Sequence, residues 1–167
     1  MAFSLIPHGV YRSVYCLTGE LLVEKGVSLV LADLDNTLAR YGQSKPDPAL
    51  KAWVKDLHCH GIQLFILSNS RKPTRVREFA LSLDVPFLGH AGKQKAAGYQ
   101  RALAQMGCRP EAALMVGDQI FTDVLGANRA GIKVYLIEPI DLSGNPGRYL
   151  RYGVETPFRL LGRRRRG

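Results

Sequence analysis

The stretch SLVLADLDNT, residues 28–37, joins a short apolar run to two aspartates. Residues 28–33 have the length and composition of a buried strand, and Asp33 and Asp35 come where that strand ends. Residues two apart in an extended chain point to the same side, so both carboxylates can face one ligand. Neighbouring carboxylates repel each other unless a cation or a proton separates them, and Mg²⁺ prefers such oxygen ligands. The stretch therefore predicts a buried strand with an acidic end that suits a metal ion.

Strand-like and helix-like patterns alternate through the rest of the chain. Helical periodicity, closed by glycine in several cases, marks residues 47–60, 75–83, 95–106 and about 122–130. Apolar runs of strand length mark residues 28–33, 62–67, 85–88, 113–117 and 133–137. This alternation predicts an α/β fold, a three-layer α/β/α Rossmann-like domain with about five parallel strands and right-handed crossovers.

Polar residues follow the other predicted strands as well. Ser68 and Asn69 end the second strand, Lys93 lies 25 residues further on, and Asp118 and Asp123 follow the next strand. Open α/β sheets bind ligands at the carboxyl ends of their strands, so these groups are expected around one phosphate and its metal. An acidic pair alone would also fit a surface turn, and the joint placement argues against that interpretation.

With these residues in this order, the chain resembles the haloacid dehalogenase superfamily. Its phosphatases carry an Asp-x-Asp-x-Thr motif, a Ser or Thr after the second strand, a Lys, and a Gly-Asp-x4-Asp motif. The corresponding positions here are residues 33–37, Ser68, Lys93 and residues 117–123. The resemblance covers about residues 28 to 137.

The resemblance implies a Mg²⁺-dependent phosphatase that hydrolyses a phosphate monoester through an aspartyl-phosphate. Asp33 would be the nucleophile, and Asp35 would be the general acid and then the general base. Asp118, the side chain of Asp33 and the backbone carbonyl of Asp35 would bind Mg²⁺. Asp123 would not bind the ion itself but would support the residues that do.

The same resemblance assigns the groups that hold the phosphate. Ser68 and Lys93 would neutralise the phosphoryl oxygens, and Thr37 and Asn69 are further candidate substrate-binding residues. The third motif departs from the family, because members commonly show Lys-Pro where this chain has Gly-Lys-Gln-Lys. Lys93 is preferred because it lies nearer the strand end, and Lys95 is the competitor.

No cap domain fits between the motifs. Residues 37–68 hold one loop and one helix, and residues 68–93 hold one helix and one short strand. Such a site is poorly shielded from water, which suits a bulky substrate that covers the site itself, such as a protein, a nucleic acid or a lipid headgroup.

Within the superfamily the chain is more closely similar to the YqeG-type subfamily of class IIIA. Residues 31–38 and 117–128 carry this likeness, and the lead-in 14–27 extends it. The chain is also similar to mitochondrial phosphatases that remove the terminal phosphate from phosphatidylglycerophosphate. This implies a phospholipid substrate and peripheral contact with anionic membrane. A cytoplasmic protein is expected because the cysteines show no paired spacing. A nucleic acid is not the expected partner, and the oligomeric state is left open.

Composition bounds the alternatives. The chain has 167 residues, 46% of them hydrophobic, with 23 Lys and Arg against 14 Asp and Glu for a net charge of +9. A chain of this size can bury a core without disulfides or structural metal, which excludes disordered and collagen-like classes. Cys16, Cys59 and Cys108 show no paired spacing, which argues against a secreted disulfide framework. No targeting or membrane-spanning segment is expected.

One domain is expected over residues 1–167, with a helical extension over 1–27 and a basic tail over 159–167 that contains Arg163, Arg164, Arg165 and Arg166. The N-terminal extension is expected to pack on the sheet edge, and docking on a membrane through Phe3, Leu5, Ile6, Tyr11 and Tyr15 is its alternative.

The alternative function is a weakly catalytic or non-catalytic binding protein. Its basic surface would then engage RNA or a ribosomal particle, since a net charge of +9 suits RNA as well as an anionic membrane. Retention of the acidic, hydroxyl and lysine positions together favours the enzyme.

Overall fold

A parallel β-sheet forms the centre of the structure, a computed structural model that describes residues 4–143 and 146–165. Its strands are β1 (Gly9–Tyr11), β2 (Leu29–Ala32), β3 (Gln63–Leu67), β4 (Phe87–Leu88), β5 (Ala113–Gly117) and β6 (Lys133–Ile137). They lie in the order β1-β6-β5-β2-β3-β4, and each neighbouring pair is parallel. The predicted three-layer α/β/α architecture is confirmed, with six strands in place of about five.

Helices connect the strands and cover both faces. They are α1 (Gly19–Glu24), α2 (Pro48–Cys59), α3 (Pro73–Ser82), α4 (Ala96–Met106), α5 (Leu125–Arg129) and α6 (Pro146–Arg164). Local chemistry sets several of their ends: Asp47 Oδ1 accepts from Leu50 N at 2.8 Å at the start of α2, and Gly107 ends α4 at φ 59°. A π-helical turn, Ile120–Val124, precedes α5, and the two together stand where the sequence predicts a single helix over about 122–130.

Two hydrophobic cores form because side chains of a strand alternate between faces. Val30 and Ala32 of β2 pack in the core that includes α1, α2 and α3. Leu29 and Leu31 of the same strand pack in the core that includes α4 and α5 and receives Phe158 of α6. Burial of β2 on both faces explains its uninterrupted apolar sequence.

Strand β2 occupies the position that creates the site. It pairs with β3 on one side and with β5 on the other. The chain leaves β2 towards β3 and later returns to β5, so connections run in opposite directions from the carboxyl end of β2. A crevice for ligands forms at such a point in open α/β sheets.

The N-terminal segment differs from the helical extension predicted for residues 1–27. It contains α1 as expected, with Thr18 Oγ1 accepting from Leu21 N at 3.3 Å, but it also adds strand β1 beside β6. Tyr11 is buried with its ring centroid 5.0 Å from that of Tyr135, so it faces the protein core. Strand β1 is too short to show an alternating pattern that could be recognised from the sequence.

The C-terminal segment also differs from the predicted basic tail over 159–167. Helix α6 continues to Arg164, and Arg159 is buried in it. Arg166 and Gly167 of the predicted tail, and Phe3 of the alternative lipid surface, lie outside the described residues. Across residues 4–143 and 146–165, no helix has both the length and the apolar character needed to cross a bilayer.

Candidate active site

The strand ends bring the predicted residues to one edge of the sheet. Asp33 follows β2, Ser68 follows β3 and Asp118 follows β5, and all three side chains are buried. The register of the sheet causes this, because Ala32 is paired with Ile66 on one side and with Val116 on the other. Groups that are 35 and 85 positions apart from Asp33 in sequence therefore meet beside it.

Lys93 lies between two carboxylates. Its Nζ is 2.7 Å from Asp33 Oδ1 and 2.6 Å from Asp123 Oδ1, and its side chain is only 3% exposed. Lys95 is exposed at the start of α4. The structure thus brings Lys93, and not its competitor Lys95, into the site. The predicted supporting residue Asp123 is fully buried and joins the nucleophile candidate through this lysine.

Tight packing fixes the backbone that carries Lys93. A Cβ atom added to Gly126 would overlap the Lys93 carbonyl oxygen. The hydroxyl of Tyr99 in α4 also donates to the Asp123 carbonyl oxygen at 3.2 Å. The start of α5 therefore packs directly against the loop that carries Lys93.

Burial and mutual repulsion set the electrostatics of the acidic residues. Burial raises the pKa of Asp33 to about 6, attraction by Lys93 opposes this, and repulsion by Asp123 adds to it. Burial, together with the charges of Asp33 and Asp123, raises the pKa of Asp118 well above its usual value. Burial lowers the pKa of Lys93, but the two carboxylates outweigh it and the net shift is upward. The lysine stays charged, and the group holds more negative than positive charge.

The acidic group fits a divalent cation. Asp33, Asp118 and Asp123 each present a carboxylate oxygen, and these oxygens lie within 4.8 Å of one another. Three carboxylates face one ammonium group here, and carboxylate oxygens are hard ligands of the kind that Mg²⁺ prefers. A bound cation would offset the repulsion from Asp33 and Asp123, which adds to the effect of burial on the pKa of Asp118. The Asp35 carboxylate is not part of this group.

The Asp35 carboxylate instead faces α3. Arg75 Nη2 lies 2.6 Å from both of its oxygens, and Gly42 N donates to Asp35 Oδ1 at 3.3 Å. Arg75 Nη1 also donates to the Gln43 carbonyl oxygen at 2.8 Å. Arg75 therefore ties Asp35 and the loop after it to α3.

The remaining predicted residues surround the acidic group. Thr37 Oγ1 donates to Asp118 Oδ1 at 3.5 Å, and Asn69 Oδ1 accepts from Lys93 N at 3.1 Å. Ser68 Oγ accepts from Ser70 N at 3.1 Å. Thr37 thus contacts a metal-ligand candidate, whereas Asn69 holds the backbone of the lysine loop.

Helix α6 supplies a wall of the site that the sequence reasoning missed. Arg159 Nη2 donates to the Asp118 carbonyl oxygen at 2.6 Å and lies 3.1 Å from Glu155 Oε2. Glu155 Oε1 accepts from Ile120 N at 2.9 Å. The pair therefore holds the loop between β5 and the π-helical turn. The four-residue spacing of Glu155 and Arg159 was the one signal in the sequence, since such pairs share a helix face.

A cleft of about 790 Å³ opens over these groups. Its floor includes Asp33, Ser68 and Asp118, and its rim is cationic, with Arg71, Lys72, Arg75, Arg148 and Arg151. Arg148 also stacks on Tyr41, with its guanidinium carbon 4.0 Å from the ring centroid. The cleft therefore suits an anionic group, held above the acidic floor by a cation and by Lys93.

Comparison with known proteins places these features in a family. The model of the haloacid dehalogenase-like hydrolases matches residues 10–131. The probable phosphatase YqeG of Bacillus subtilis strain 168 is 32% identical over 156 residues, which cover 93% of this chain and 89% of that protein.

Two further likenesses extend the comparison. The chloroplastic phosphatidylglycerophosphate phosphatase 1 of Chlamydomonas reinhardtii is 29% identical over 178 residues, and the match covers 93% of this chain but 66% of that protein. The cobalt-bound deoxy-D-mannose-octulosonate 8-phosphate phosphatase of Haemophilus influenzae superposes with a TM-score of 0.52 at 15% identity, covering 83% of this chain and 92% of that one. The structural likeness shows a shared fold.

Proposed function

Because the chain belongs to the haloacid dehalogenase-like hydrolases and is a hydrolase of phosphate monoesters, we propose that it works with Mg²⁺ through a phosphorylated Asp33. The observation that carries this proposal is the position of Lys93, buried between Asp33 and Asp123 beside Asp118. A lysine held there keeps the nucleophile anionic and offers its charge to a phosphoryl group.

The first step is attack by Asp33 on phosphorus. Leu34 N donates to Asp33 Oδ1 at 2.8 Å, and Lys93 holds the same oxygen, so we assign the attack to Oδ2. A bond forms between Oδ2 and phosphorus while the bond between phosphorus and the ester oxygen breaks. Asp35 gives its proton to the leaving oxygen, and Ser68 donates to a phosphoryl oxygen.

The second step returns the enzyme to its starting state. Asp35 takes a proton from water as the water oxygen bonds to phosphorus, and the bond from phosphorus to Asp33 Oδ2 breaks. The products are inorganic phosphate and a free Asp33 carboxylate. Asp35 would act from the same position in both steps, and its contact with Arg75 supports this assignment.

Mg²⁺ is the cation we propose. Asp33 and Asp118 would hold it through carboxylate oxygens, and Asp35 would contribute its backbone carbonyl. When bound, the ion neutralises charge on the phosphoryl oxygens. Asp123 stays paired with Lys93 and keeps that lysine in place.

The proposed substrate is phosphatidylglycerophosphate. The cleft lacks a cap in the described residues, and its rim carries arginines on two sides. A lipid phosphate monoester would cover the site and meet these cations. The likeness to the algal phosphatidylglycerophosphate phosphatase supports this choice. We place the protein in the cytoplasm, in peripheral contact with membrane, and the assembled nucleophile and lysine do not favour a non-catalytic RNA-binding protein.

The test is phosphate release from p-nitrophenyl phosphate and from phosphatidylglycerophosphate in detergent micelles, with Mg²⁺ or with EDTA. We expect wild type to act on both with Mg²⁺ only, and Asp33→Asn to act on neither. Asp84→Asn is the matched control, because Asp84 is exposed and its φ of 53° suits asparagine equally well. Mass spectrometry of acid-quenched enzyme should find a phosphoryl group on Asp33. Equal rates for wild type and Asp33→Asn would refute the mechanism.

A further inference from the structure

The outer face of α6 consists of apolar side chains in contact with solvent. Leu150 is 73% exposed, the largest exposure among the described large hydrophobic side chains. Residues 150, 154, 157 and 161 recur at the three- and four-residue spacing of one helix face. The outer face of α6 comprises Tyr149, Leu150, Val154, Pro157, Leu160 and Leu161.

The inner face of the same helix meets the protein through buried polar side chains, with Phe158 as its apolar contact with the core. Glu155 and Arg159 are buried there and pair at 3.1 Å, and Gly162 lies against Pro7. A surface helix ordinarily turns its apolar side inward and its charges outward. In the middle of α6 this arrangement is reversed. The outer apolar face therefore does not pack against the protein core.

Arginines flank the outer face at both ends of the helix. Arg151 lies near its start, and Arg163, Arg164 and Arg165 lie at its end, all exposed. Arg163 is paired with Glu138 Oε1 at 2.7 Å. Helices that lie in a membrane interface combine such arginines with leucine and aromatic residues. We propose that the outer face of α6 is a docking surface for a bilayer that contains anionic lipid.

The chemistry of the outer face of α6 favours a bilayer over RNA or a second copy of the chain. RNA would use the arginines but would gain little from leucine and valine side chains, which neither stack nor donate hydrogen bonds. A second copy of the chain would bring equivalent arginines together in a symmetric contact between two molecules that each carry a charge of +9. An anionic bilayer accepts both the apolar face and the arginines.

This docking surface extends the proposed function and rests on one part of it, the assignment of a lipid substrate. Arg148, Arg151 and Arg159 of α6 line the cleft. The bilayer surface and the cleft would thus lie on two sides of one helix, about 10 Å across. A headgroup that leaves the docked bilayer has only the thickness of α6 to pass before it reaches the cleft.

The test is flotation of the full chain with vesicles of phosphatidylglycerol and phosphatidylcholine, or of phosphatidylcholine alone. We expect wild type to bind the anionic vesicles, with binding that falls as salt is raised. The double variant Leu150→Glu/Leu161→Glu should bind at least tenfold more weakly. Leu81→Glu is the matched control, because Leu81 is 64% exposed on α3, away from this face, and it should bind as wild type does.

Three results would overturn the proposal: no binding of wild type to anionic vesicles, equal binding by the double variant, or equal loss in Leu81→Glu. Size-exclusion chromatography with light scattering tests whether a second copy of the chain occupies the face instead. If wild type is a dimer and the double variant is a monomer, the face belongs to a second copy. Circular dichroism and hydrolysis of p-nitrophenyl phosphate should stay unchanged in all three proteins. A wild type that binds vesicles but hydrolyses nothing would refute the proposed function alone.

Discussion

Arg75 Nη2 lies 2.6 Å from each carboxylate oxygen of Asp35. This contact joins α3 to the residue that we propose as general acid and base, and neither partner is close to the other in sequence. Both side chains are largely buried, with exposed fractions of 11% for Arg75 and 18% for Asp35. The orientation of Asp35 therefore depends on a residue outside the four sequence motifs.

Replacement of Arg75 by alanine should lower kcat by roughly tenfold to a hundredfold, because misplacement of a reacting group by about 1 Å has an effect of that size. KM should change less, since the acidic group and Lys93 remain. Steady-state hydrolysis of p-nitrophenyl phosphate separates the two constants. Arg77→Ala, an exposed position on the same helix, is the control. An unchanged kcat in Arg75→Ala would show that Asp35 needs no such support.

Replacement of Lys93 by glutamine should abolish phosphate release and destabilise the fold. Asp33 and Asp123 would lose their buried counterion, and breaking a buried ion pair costs roughly 3–5 kcal/mol in free energy of unfolding. Urea denaturation in EDTA measures this loss. Lys95→Gln should change stability by less than about 0.5 kcal/mol, because that side chain is exposed. A larger effect at Lys95 would reverse the assignment.

The stability of the metal-free protein should fall as pH rises. The pKa of Asp33 is raised from 3.8 to about 6 by burial, so the folded chain binds a proton more tightly than the unfolded chain does. This contribution is complete below the unfolded pKa and is lost as pH rises through the folded one. Thermal unfolding in EDTA between about pH 4 and pH 7 measures this loss of stability. The dependence of Tm on pH should be weaker in Asp33→Asn.

Mg²⁺ should reverse this trend. The ion binds ionised carboxylates, so the gain in Tm on adding Mg²⁺ should grow with pH. Wild type measured with Mg²⁺ and with EDTA at each pH gives this difference directly. A gain that is constant across the range would indicate that the acidic group does not bind the ion.

Replacement of Gly126 by alanine should cost about 1–3 kcal/mol of stability, because the added methyl overlaps the Lys93 carbonyl oxygen and packed sites tolerate extra atoms poorly. Activity should fall with it, since the lysine loop must move. The same change at Gly153, which is exposed in α6 with open space around it, should instead stabilise the helix by about 0.5–1 kcal/mol. Chemical denaturation of the two variants compares them, and similar losses in both would contradict this view of Gly126.

The central part of the fold was predictable because its signals are local. The apolar run before Asp33 and the polar residues after the later strands indicate a parallel sheet with polar groups at one edge, and the structure confirms the parallel sheet. Lys93 could be preferred over Lys95 on its distance from the strand end. The pairing of Lys93 with both Asp33 and Asp123 could not be predicted, because it depends on how α5 packs against the loop.

The C-terminal helix was missed for a physical reason. Residues 146–164 contain Pro157 and three glycines, and they bury Glu155 and Arg159 while leaving leucines exposed. The pattern of an amphipathic surface helix is the opposite of this one, so no helix was predicted here and residues 159–167 were interpreted as a basic tail. Arg75 and Arg159 were missed because each has its partner far away in sequence, at Asp35 and at the Asp118 carbonyl.

The position of α6 in the chain determines when the cleft is complete during synthesis. A nascent chain that has emerged as far as residue 143 already holds the strands, Lys93 and the acidic group. It still lacks Arg159 and Glu155, which fasten the loop after Asp118. Since the chain emerges from its N-terminus, the finished cleft and the apolar outer surface of α6 become available together, after the rest of the sheet has been made.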